Sequence, residues 1–511
     1  MSASLSAPST CASKPLSLPS SVNRTPPELL SKIFRLTHPH DQSRNIGSNV
    51  VHVPPWRLSH VSRSWRYAAR GDASLWTFVK INAAVSDYHN DKSCVNTELA
   101  YPLASLESQL ALSCNLPLTV EFYAKCREDR NGFSSMSRED AKNRQNSKHV
   151  RALLDILVQH SPRWESLTID GSDYIDVFGA LSVARDRLDR LARLSVTEYD
   201  LSIGLADVFA NAPSLREFEF PRAIEDRQLL ISIPWHQLVK LFGKSITPKN
   251  LLRILPQTPN LVECVFSGEP GWASFPDHPY ELAVLPHLRR FRLVSRKLAV
   301  CVTAPHLEDF GFLLVSNAPP ALTSFLQQHG THLHTLKLTS SKWRCPKSTL
   351  LDIFRQLPQL IHLELDTDNG YDYPETYQHL FNTLFRGMTV LRRTGTKQRR
   401  GPTQPLCPNL QSIRIESIYD VDWVRDYEGE YSEPDNSESF DRSPWSRALC
   451  DFLESRWTVT PLESVHLSPC KESLRFFPEE WERLEALRLA GLDLQGHELY
   501  VPQRGRDFWY L

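Results

Sequence analysis

Apolar residues recur along most of this chain in a short phrase of the form Pro-x-Leu-x-x-Leu-x-Leu, with conservative replacements. The clearest copies begin at Pro162, Pro213, Pro259, Pro286, Pro305, Pro358, Pro408 and Pro461. Weaker copies without the proline begin at Leu191, Leu238, His332 and Arg483. Because successive side chains of a strand point to opposite faces, the x-Leu-x-Leu part predicts a strand with one apolar and one polar face.

The first apolar residue of each phrase marks the period of the pattern. These residues are Trp164, Leu191, Leu215, Leu238, Leu261, Leu288, Leu307, Leu333, Leu360, Leu410, Leu462 and Leu484. Most intervals are 19 to 27 residues long, and the two longest, of 50 and 52 residues, equal about two periods each. A period of about 20–29 residues that carries L-x-x-L-x-L resembles the leucine-rich repeat.

Segments with apolar residues at helical spacing separate the phrases and begin at Ala152, Leu251, Leu322, Leu350 and Leu449. The proline that follows many of them favours an extended entry into the next strand. A single strand–helix unit cannot bury its own apolar face, so neighbouring units must stack. The pattern predicts an α/β solenoid, an irregular leucine-rich-repeat array over residues 151–511. An unrelated α/β domain with Leu-rich strands is the alternative.

Composition narrows the class of protein. The 511 residues include 58 Lys+Arg and 59 Asp+Glu, and this balance argues against a nucleic-acid-binding protein. No apolar run reaches the ~18–20 residues that a membrane span needs. The ten cysteines are scattered and form no C-x-x-C, which favours reduced thiols in a cytoplasmic or nuclear protein. Residues 1–22 are rich in Ser, Ala and Pro and are predicted to be disordered, without the features of a secretory signal.

Residues 23–80 predict a small all-α module that precedes the array. Pro26-Pro27 suits the first turn of a helix, whose apolar residues follow at once. A second helical segment lies about 20 residues later and ends in Leu75-Trp76. The apolar residues of these two segments are Leu29, Leu30, Ile33, Phe34 and Leu36, then Leu58, Val61, Trp65 and Ala69.

This module resembles the F-box, whose pattern is Leu-Pro-x-Glu-Leu-x-x-x-Ile-Phe followed by Leu-x-x-Val-(Cys/Ser)-(Arg/Lys)-x-Trp. The matching residues are Pro27, Glu28, Leu29 or Leu30, Ile33, Phe34, Leu58, Val61, Ser62, Arg63 and Trp65. The resemblance implies that the module binds a Skp-type adaptor and through it a cullin–RING ubiquitin ligase. The adaptor-binding residues it implies are Pro27, Leu29, Leu30, Ile33, Phe34, Leu58, Val61 and Trp65. The alternative is that these residues form only the core of a helical cap.

The remaining segments are a connection and two insertions. Residues 81–150 are predicted to lead into the first strand of the array. Insertions near 392–402 and 420–442 are basic and acidic respectively, and each is either a solvated loop or a docking point for a partner.

The polar positions of the predicted strands are the candidate binding surface, because solenoids bind partners on their concave face. Glu219 and Glu364 are among these positions, and Arg289, Arg290 and Arg292 form the densest basic cluster. The predicted substrate-binding residues are Arg289, Arg290, Arg292, Lys337, Arg414, His466 and Arg488. A merely solvated sheet surface is the alternative for each of them.

Catalytic motifs are nearly absent from the sequence. Gly243-Lys244-Ser245 matches the end of a P-loop, but Leu238 stands where the upstream glycine is required. His38, His40 and Asp41 lie close together, yet solvated loop residues explain them better than a metal site does. We therefore expect no enzyme activity, no catalytic residue, no metal and no cofactor.

Three hypotheses follow from these observations. The first is a substrate-recognition subunit of an SCF-type cullin–RING ubiquitin ligase, which binds the adaptor through residues 23–80 and a protein substrate through the repeats. The second is an F-box scaffold that acts without ubiquitin transfer. The third is an enzyme with an unfamiliar site in the C-terminal half.

Overall fold

The computed structural model describes residues 25–36, 55–82, 102–124, 136–171, 177–196, 207–220, 231–243, 246, 248–266, 282–293, 301–313, 319–340, 347–367, 374–389, 406–417, 444–457, 462–468 and 478–495. It divides the chain into two compact units, Met1–Ala180 (unit 1) and Leu181–Leu511 (unit 2). The predicted N-terminal segment 1–22, the residues His38, His40 and Asp41, and both insertions lie outside the described residues.

Unit 1 opens with a small group of helices, which we call the helical module. Its elements are α1 (Pro27–Leu36), α2 (Trp56–Val61), α3 (Arg63–Gly71) and a 3-10 turn at Ala73–Trp76. The rest of unit 1 alternates strands and helices, with β1 (Phe78–Asn82), α4 (Leu103–Leu112), β2 (Leu118–Ala124), α5 (Met136–Gln159) and β3 (Trp164–Gly171). The three strands pair in parallel in their chain order. A sheet therefore begins at Phe78, immediately after the helical module.

Unit 2 is built from parallel strands that follow one another along the chain. Its strands are β4 (Arg193–Val196), β5 (Glu217–Glu219), β6 (Lys240–Gly243), β7 (Glu263–Phe266), β8 (Ala283–Val284), β9 (Arg290–Leu293), β10 (Val302–Thr303), β11 (Asp309–Leu313), β12 (Thr335–Ser340), β13 (His362–Thr367), β14 (Ser412–Ser417), β15 (Ser464–Ser468) and β16 (Asp493–Gln495). The short strands β8 and β10 pair only with each other, and the rest form one sheet in chain order.

Helices and 3-10 turns connect these strands. The helices are α6 (Val177–Leu181) at the unit boundary, α7 (Pro248–Ile254), α8 (Pro319–His329), α9 (Lys347–Arg355), α10 (Pro374–Met388), α11 (Pro444–Trp457) and α12 (Pro478–Leu489). They confirm the helical segments that the sequence predicts from Leu251, Leu322, Leu350 and Leu449, and α5 confirms the one from Ala152. The fold is therefore an α/β arrangement around a large parallel sheet.

The repeated phrase places its leucines in the interior, as predicted. Leu360 enters the core ahead of β13, and Leu363 and Leu365 follow on the buried side of the same strand. His362 and Glu364 alternate with them on the other side. All twelve residues that mark the period are 0–1% exposed. Apolar burial of this kind is the main stabilising contribution to such a unit, at roughly 25 cal/mol per Å².

In the described residues of the two longest intervals of the pattern, no additional strand lies between β13 and β14 or between β14 and β15. Strand β13 pairs directly with β14, and β14 pairs directly with β15, each in continuous register. The interpretation of these intervals as two periods each is therefore wrong. Each interval is one connection between neighbouring strands, longer than the others.

The last predicted phrase is a helix and not a strand. The phrase begins at Arg483, but this residue lies within α12, and the terminal strand of the sheet is Asp493–Gln495. Leu484 and Leu487 are both buried at a spacing of three residues, which fits one face of a helix as well as it fits the phrase. The acidic residues Glu479 and Glu480 in the first turn favour the helix further.

A buried arginine ties together chain segments on either side of the first insertion. The guanidinium of Arg456, in α11, is fully enclosed and donates to the carbonyl oxygens of Met388 at 3.2 Å and Cys407 at 3.0 Å. It also donates to the carbonyl oxygen of Leu406. Burial lowers the pKa of Arg456, and the carbonyl groups compensate for the water that its charge has lost. Residues 388 and 406–407 are thereby held to one side chain.

In the described part of the chain, no helix combines the length and the apolar character that crossing a membrane requires.

Candidate functional site

Helix α1 has two apolar faces, and only one of them is buried. Leu30 and Phe34 are 1% and 0% exposed within the helical module. Leu29, Ile33 and Leu36 are 49%, 47% and 87% exposed, and their spacing of four and three residues places them on one face of the helix. We call these three residues the apolar stripe. A row of large aliphatic side chains in water is typical of a surface that binds another protein.

Aromatic packing holds α1 against the other helices of the module. The rings of Phe34 and Trp65 lie 4.9 Å apart between centroids, and those of Trp56 and Trp76 lie 4.9 Å apart edge to face. The indole N–H of Trp76 donates to the carbonyl oxygen of Ala69 at 2.7 Å. Leu58 packs on the same core from α2. The apolar stripe is therefore carried by a helix whose orientation is fixed.

An ion pair fixes the end of α1 to the end of α3. Arg35 Nε lies 2.9 Å from Asp72 Oδ2, and the other carboxylate oxygen of Asp72 accepts from the backbone N–H and the hydroxyl of Ser74. Partial burial opposes ionisation of this carboxyl, but the bonds from Arg35 and Ser74 outweigh it and lower the pKa of Asp72. Asp72 thus caps the 3-10 turn while it anchors α1.

The structure separates the predicted adaptor-binding residues into three groups. Pro27, Leu29, Ile33 and Val61 are exposed. Leu58 and Trp65 are partly buried against the core of the module. Leu30 and Phe34 are enclosed in that core, where they position the apolar stripe and present no surface. The alternative that these residues form only the core of a helical cap therefore fits Leu30 and Phe34. It does not fit Pro27, Leu29, Ile33 and Val61, which are exposed. Leu36, next in the stripe, was missing from the prediction, although the helical period would have included it.

The polar face of the unit 2 sheet carries a row of alternating charges. Successive strands bring Glu217, Lys240, Glu263, Arg290 and Asp309 side by side in register. Neighbours along the row are paired, with N–O distances of 3.1 Å, 3.6 Å and 2.9 Å for Lys240–Glu217, Arg290–Glu263 and Arg290–Asp309. The two more exposed pairs, Lys240–Glu217 and Arg290–Glu263, each contribute ~0–1 kcal/mol. Together the paired charges leave the row nearly neutral.

Arg292 forms the most extensive pairing on this face. Its Nε and Nη2 donate to the two carboxylate oxygens of Asp309, each at 3.0 Å. Its Nη1 and Nη2 donate to Glu364 at 3.2 Å and 3.0 Å. Burial opposes its charge, but both carboxylates outweigh burial and raise the pKa of Arg292. One guanidinium thus links β9 with β11 and β13.

The next strands continue the same pairing. Lys337 Nζ lies 3.1 Å from Asp366 Oδ2 and 3.7 Å from Glu416 Oε2. Arg414 Nε donates to Glu416 at 2.6 Å. His466 lies opposite Arg414 in the register of β14 and β15.

The predicted basic cluster is consequently not free to attract an acidic ligand. Arg290, Arg292, Lys337 and Arg414 lie on the polar face as predicted, and each has a carboxylate partner within this face. Arg289 lies just before β9 and pairs with Glu308 at 3.1 Å. A ligand that used these cations would have to displace their partners.

Arg488 does not lie on the sheet, so its predicted position is wrong. It belongs to α12 and pairs with Glu485 three residues earlier, at 2.6 Å, on the exposed face of that helix. The contact raises the pKa of Arg488 and lowers the pKa of Glu485.

Two apolar side chains interrupt the polar face, and the sequence analysis did not single them out. Phe242 and Val265 are half-buried and lie side by side in the register of β6 and β7. Glu219 flanks Phe242 on β5, and Arg292 flanks Val265 on β9. Aromatic residues, Phe among them, are enriched in protein interfaces. The sequence could have revealed Phe242, because in the alternation of β6 it occupies a position whose side chain lies on the polar face.

Packing between strands explains why glycine stands at position 243, the first residue of the P-loop-like triplet. A Cβ atom at this position would lie 2.7 Å from Cε1 of Phe266, so only glycine fits between the strands.

Within the described residues, no group of three His, Cys, Asp or Glu side chains is arranged to hold a metal ion. The described cysteines are free thiols, and burial raises the pKa of Cys407 and Cys450 to about 12. Both thiols are therefore protonated at neutral pH.

Comparisons with known proteins assign this chain to no family. No protein-family model matches it, and no curated protein matches it. The resemblance to the F-box therefore depends on the residues of the helical module and on the geometry described above.

Proposed function

We propose that this protein is the substrate-recognition subunit of an SCF-type cullin–RING ubiquitin ligase. In this proposal the helical module is an F-box that binds a Skp-type adaptor, and an irregular leucine-rich-repeat array binds a protein substrate. The observation that carries the proposal is the apolar stripe of α1, which is exposed on a compact helical core whose residues match both halves of the F-box pattern. Such a protein acts in the cytoplasm or the nucleus.

The apolar stripe suits recognition in which one helix lies in a groove of its partner. Fully burying a Leu or Ile side chain contributes roughly 1.5–3 kcal/mol. A few such anchors supply most of the energy of an interface of this kind. Leu29, Ile33 and Leu36 are spaced to enter one groove, and Val61, which is 60% exposed, is available from α2.

Three features of unit 2 support an irregular leucine-rich-repeat array. The strands follow chain order, they pair in parallel, and the phrase leucines fill the core. The longer connections after β13 and β14 and the short separate pair β8–β10 make the array irregular. Phe242 and Val265 mark the place on the polar face where a substrate would find apolar contact area.

The contribution of such a receptor to ubiquitin transfer is proximity. A substrate held on the array and an adaptor held on α1 share one chain, so the substrate lysines reach a high effective concentration near the ligase. This mechanism requires no acid, base or nucleophile from the receptor.

Co-purification of the intact chain with a Skp-type adaptor tests the proposal. Because Leu29 and Ile33 are exposed, L29D/I33D will leave the module folded and weaken adaptor binding by about 100-fold or more. The matched control is V183D/L489D, which places the same charges at two other exposed aliphatic residues. Circular dichroism on all three proteins checks their folding.

Two outcomes would overturn the proposal. They are failure of the folded wild type to bind the adaptor, and unchanged binding by L29D/I33D. Reconstituted ubiquitin transfer to a bound partner then separates a ligase receptor from an F-box scaffold, which would bind the adaptor without transfer. Substrate turnover by the isolated chain would instead favour an enzyme.

A further inference from the structure

Helix α3 exposes a row of cations. Arg63, Arg66 and Arg70 are exposed and, at a spacing of three and four residues, share one face of this helix. Tyr67, which is 75% exposed, lies among them. We call these four residues the basic stripe. The opposite face carries Ala68 and Ala69, which are buried in the core of the module.

Within the described part of the chain, the basic stripe differs from the cations of the polar face in having no carboxylate partners. Among the described residues, no Asp or Glu oxygen lies within ion-pair distance of Arg63, Arg66 or Arg70. These three guanidinium groups make one polar contact to the described residues, in which Arg66 Nε donates to the carbonyl oxygen of Ser59 at 2.9 Å. The described part of the helical module contains two carboxylates, Glu28 and Asp72, and Asp72 is paired with Arg35. As far as the described residues extend, the charges of the basic stripe are therefore uncompensated.

The position of two of these cations, Arg63 and Arg66, disfavours the folded module. Arg63 is the first residue of α3, and Arg66 follows within the first turn, where the helix dipole favours negative charge. No acidic residue occupies this turn. Arg66 also repels both Arg63 and Arg70, because residues three and four apart are neighbours on a helix. Charges that break a local rule without compensation are typical of functional positions.

We propose that the basic stripe binds an acidic polypeptide segment. Carboxylates of such a segment would pair with the three guanidinium groups and remove their mutual repulsion, while Tyr67 supplies apolar contact area. A protein partner is favoured over a nucleic acid because the chain as a whole is nearly neutral, with a net charge of −1. The basic stripe lies in the same module as the apolar stripe, but the inference goes beyond adaptor binding and does not require it.

The test uses the full chain and a fluorescently labelled polyglutamate as the acidic probe. Fluorescence anisotropy at 50 and 300 mM NaCl measures the dissociation constant. The variant R63Q/R70Q removes two cations and keeps Arg66, which contacts Ser59. The control R190Q/R253Q removes two exposed arginines of unit 2 that form no ion pair with another described residue. An RNA oligonucleotide and phosphatidylserine vesicles are tested in parallel as the other polyanions.

We expect the wild type and the control to bind polyglutamate equally at 50 mM NaCl and more weakly at 300 mM. R63Q/R70Q will bind at least about tenfold more weakly, because charge pairs across an interface act together. Its thermal midpoint will stay close to that of the wild type, because the repulsion relieved within α3 offsets the loss of Arg70 from the last turn, where the helix dipole favours a cation. A merely solvated helix face would not combine lost binding with unchanged stability.

Three results would overturn the inference. They are no binding of polyglutamate by the folded wild type, equal binding by R63Q/R70Q, and tighter binding of RNA or vesicles than of polyglutamate. The test involves no adaptor, so a failure here is distinguishable from a failure of the proposed ligase function. Loss of adaptor binding in L29D/I33D would likewise leave this inference unaffected.

Discussion

Arg292 reaches Glu364 across the position where Gly311 lacks a side chain. A Cβ atom on Gly311 would lie 2.9 Å from Cγ of Arg292 and 3.1 Å from its Cβ. The two residues are direct neighbours in the register of β9 and β11, and Glu364 lies two strands further on. The missing side chain thus gives the Arg292 side chain its path across the polar face.

Gly311→Val therefore displaces Arg292 and breaks its contact with Glu364. We expect a loss of about 1–3 kcal/mol in the free energy of unfolding, the usual range for a side chain forced into occupied space. Urea denaturation followed by circular dichroism measures the change. Gly71→Ala is the control, because a Cβ atom there meets nothing within 4 Å. Equal stability of the two variants would contradict the assigned role of Gly311.

Asp309 accepts hydrogen bonds from both arginines of β9 and is 8% exposed. Asp309→Asn removes the negative charge and leaves Arg290 and Arg292 in a partly buried setting with fewer acceptors. We expect this variant to unfold at lower urea concentration, by about 1.5–3 kcal/mol, the range for bonds to charged groups. Glu308→Gln, which affects only the exposed pair with Arg289, is the control and will change stability by less than about 1 kcal/mol. Similar losses of unfolding free energy in both variants would contradict the larger stabilising contribution assigned to Asp309.

The sequence predicts which leucines of the repeated phrase are buried, because this depends only on the alternation of apolar and polar residues along each strand. Leu363 and Leu365 alternate with polar residues wherever the strand pairs, so their side of the sheet follows from the period. The partners of the polar residues do not follow in this way. Arg292 and Glu364 are 72 positions apart, and their contact depends on the register of four strands and on Gly311. When each strand is considered alone, Arg290 and Arg292 therefore look like a basic cluster. The carboxylates that neutralise them lie on other strands.

Phe34 and Ile33 are adjacent in sequence and differ completely in burial, at 0% and 47% exposed. We expect Phe34→Ala to lower the free energy of unfolding by about 3–5 kcal/mol, because it leaves a cavity beside Trp65. Ile33→Ala will change it by about 0.5 kcal/mol or less. Thermal denaturation of both variants measures the difference. A large loss for Ile33→Ala would mean that the apolar stripe is part of the core.

We expect His329 to make the stability of unit 2 depend on pH. The residue ends α8, its ring lies 4.6 Å from that of Phe325, and burial lowers its pKa despite a backbone hydrogen bond with Ala304. The folded chain thus binds this proton more weakly than the unfolded chain does. Stability contributed by the neutral ring is fully present above the ordinary pKa of 6.5 and decreases as the pH falls below it.

His329→Phe should flatten this part of the profile. Burial also lowers the pKa of His160 in unit 1, so the variant reduces the acid sensitivity and does not abolish it. Urea midpoints measured between pH 5 and pH 8 test this, with exposed His362→Gln as the control. A steeper profile in His329→Phe than in the wild type would refute the assignment.

The helical module shows a second limit of sequence reading. The F-box pattern marks Leu30, Phe34, Leu29 and Ile33 alike, because a motif records which residues occur and not which way they face. The helical period separates them only once the core is known, and the core depends on Trp65 and Trp76 from later elements. Which apolar residues of α1 face the solvent is therefore decided by tertiary packing.

The buried guanidinium of Arg456 has a consequence for how this chain can evolve. It holds the carbonyl oxygens of Met388, Leu406 and Cys407, the described residues that bracket positions 390–405. Since both margins are fixed to one side chain, the length of the chain between them can change without altering the pairing of β13 with β14. We therefore expect residues inserted between these two margins to leave the pairing of β13 with β14 unchanged.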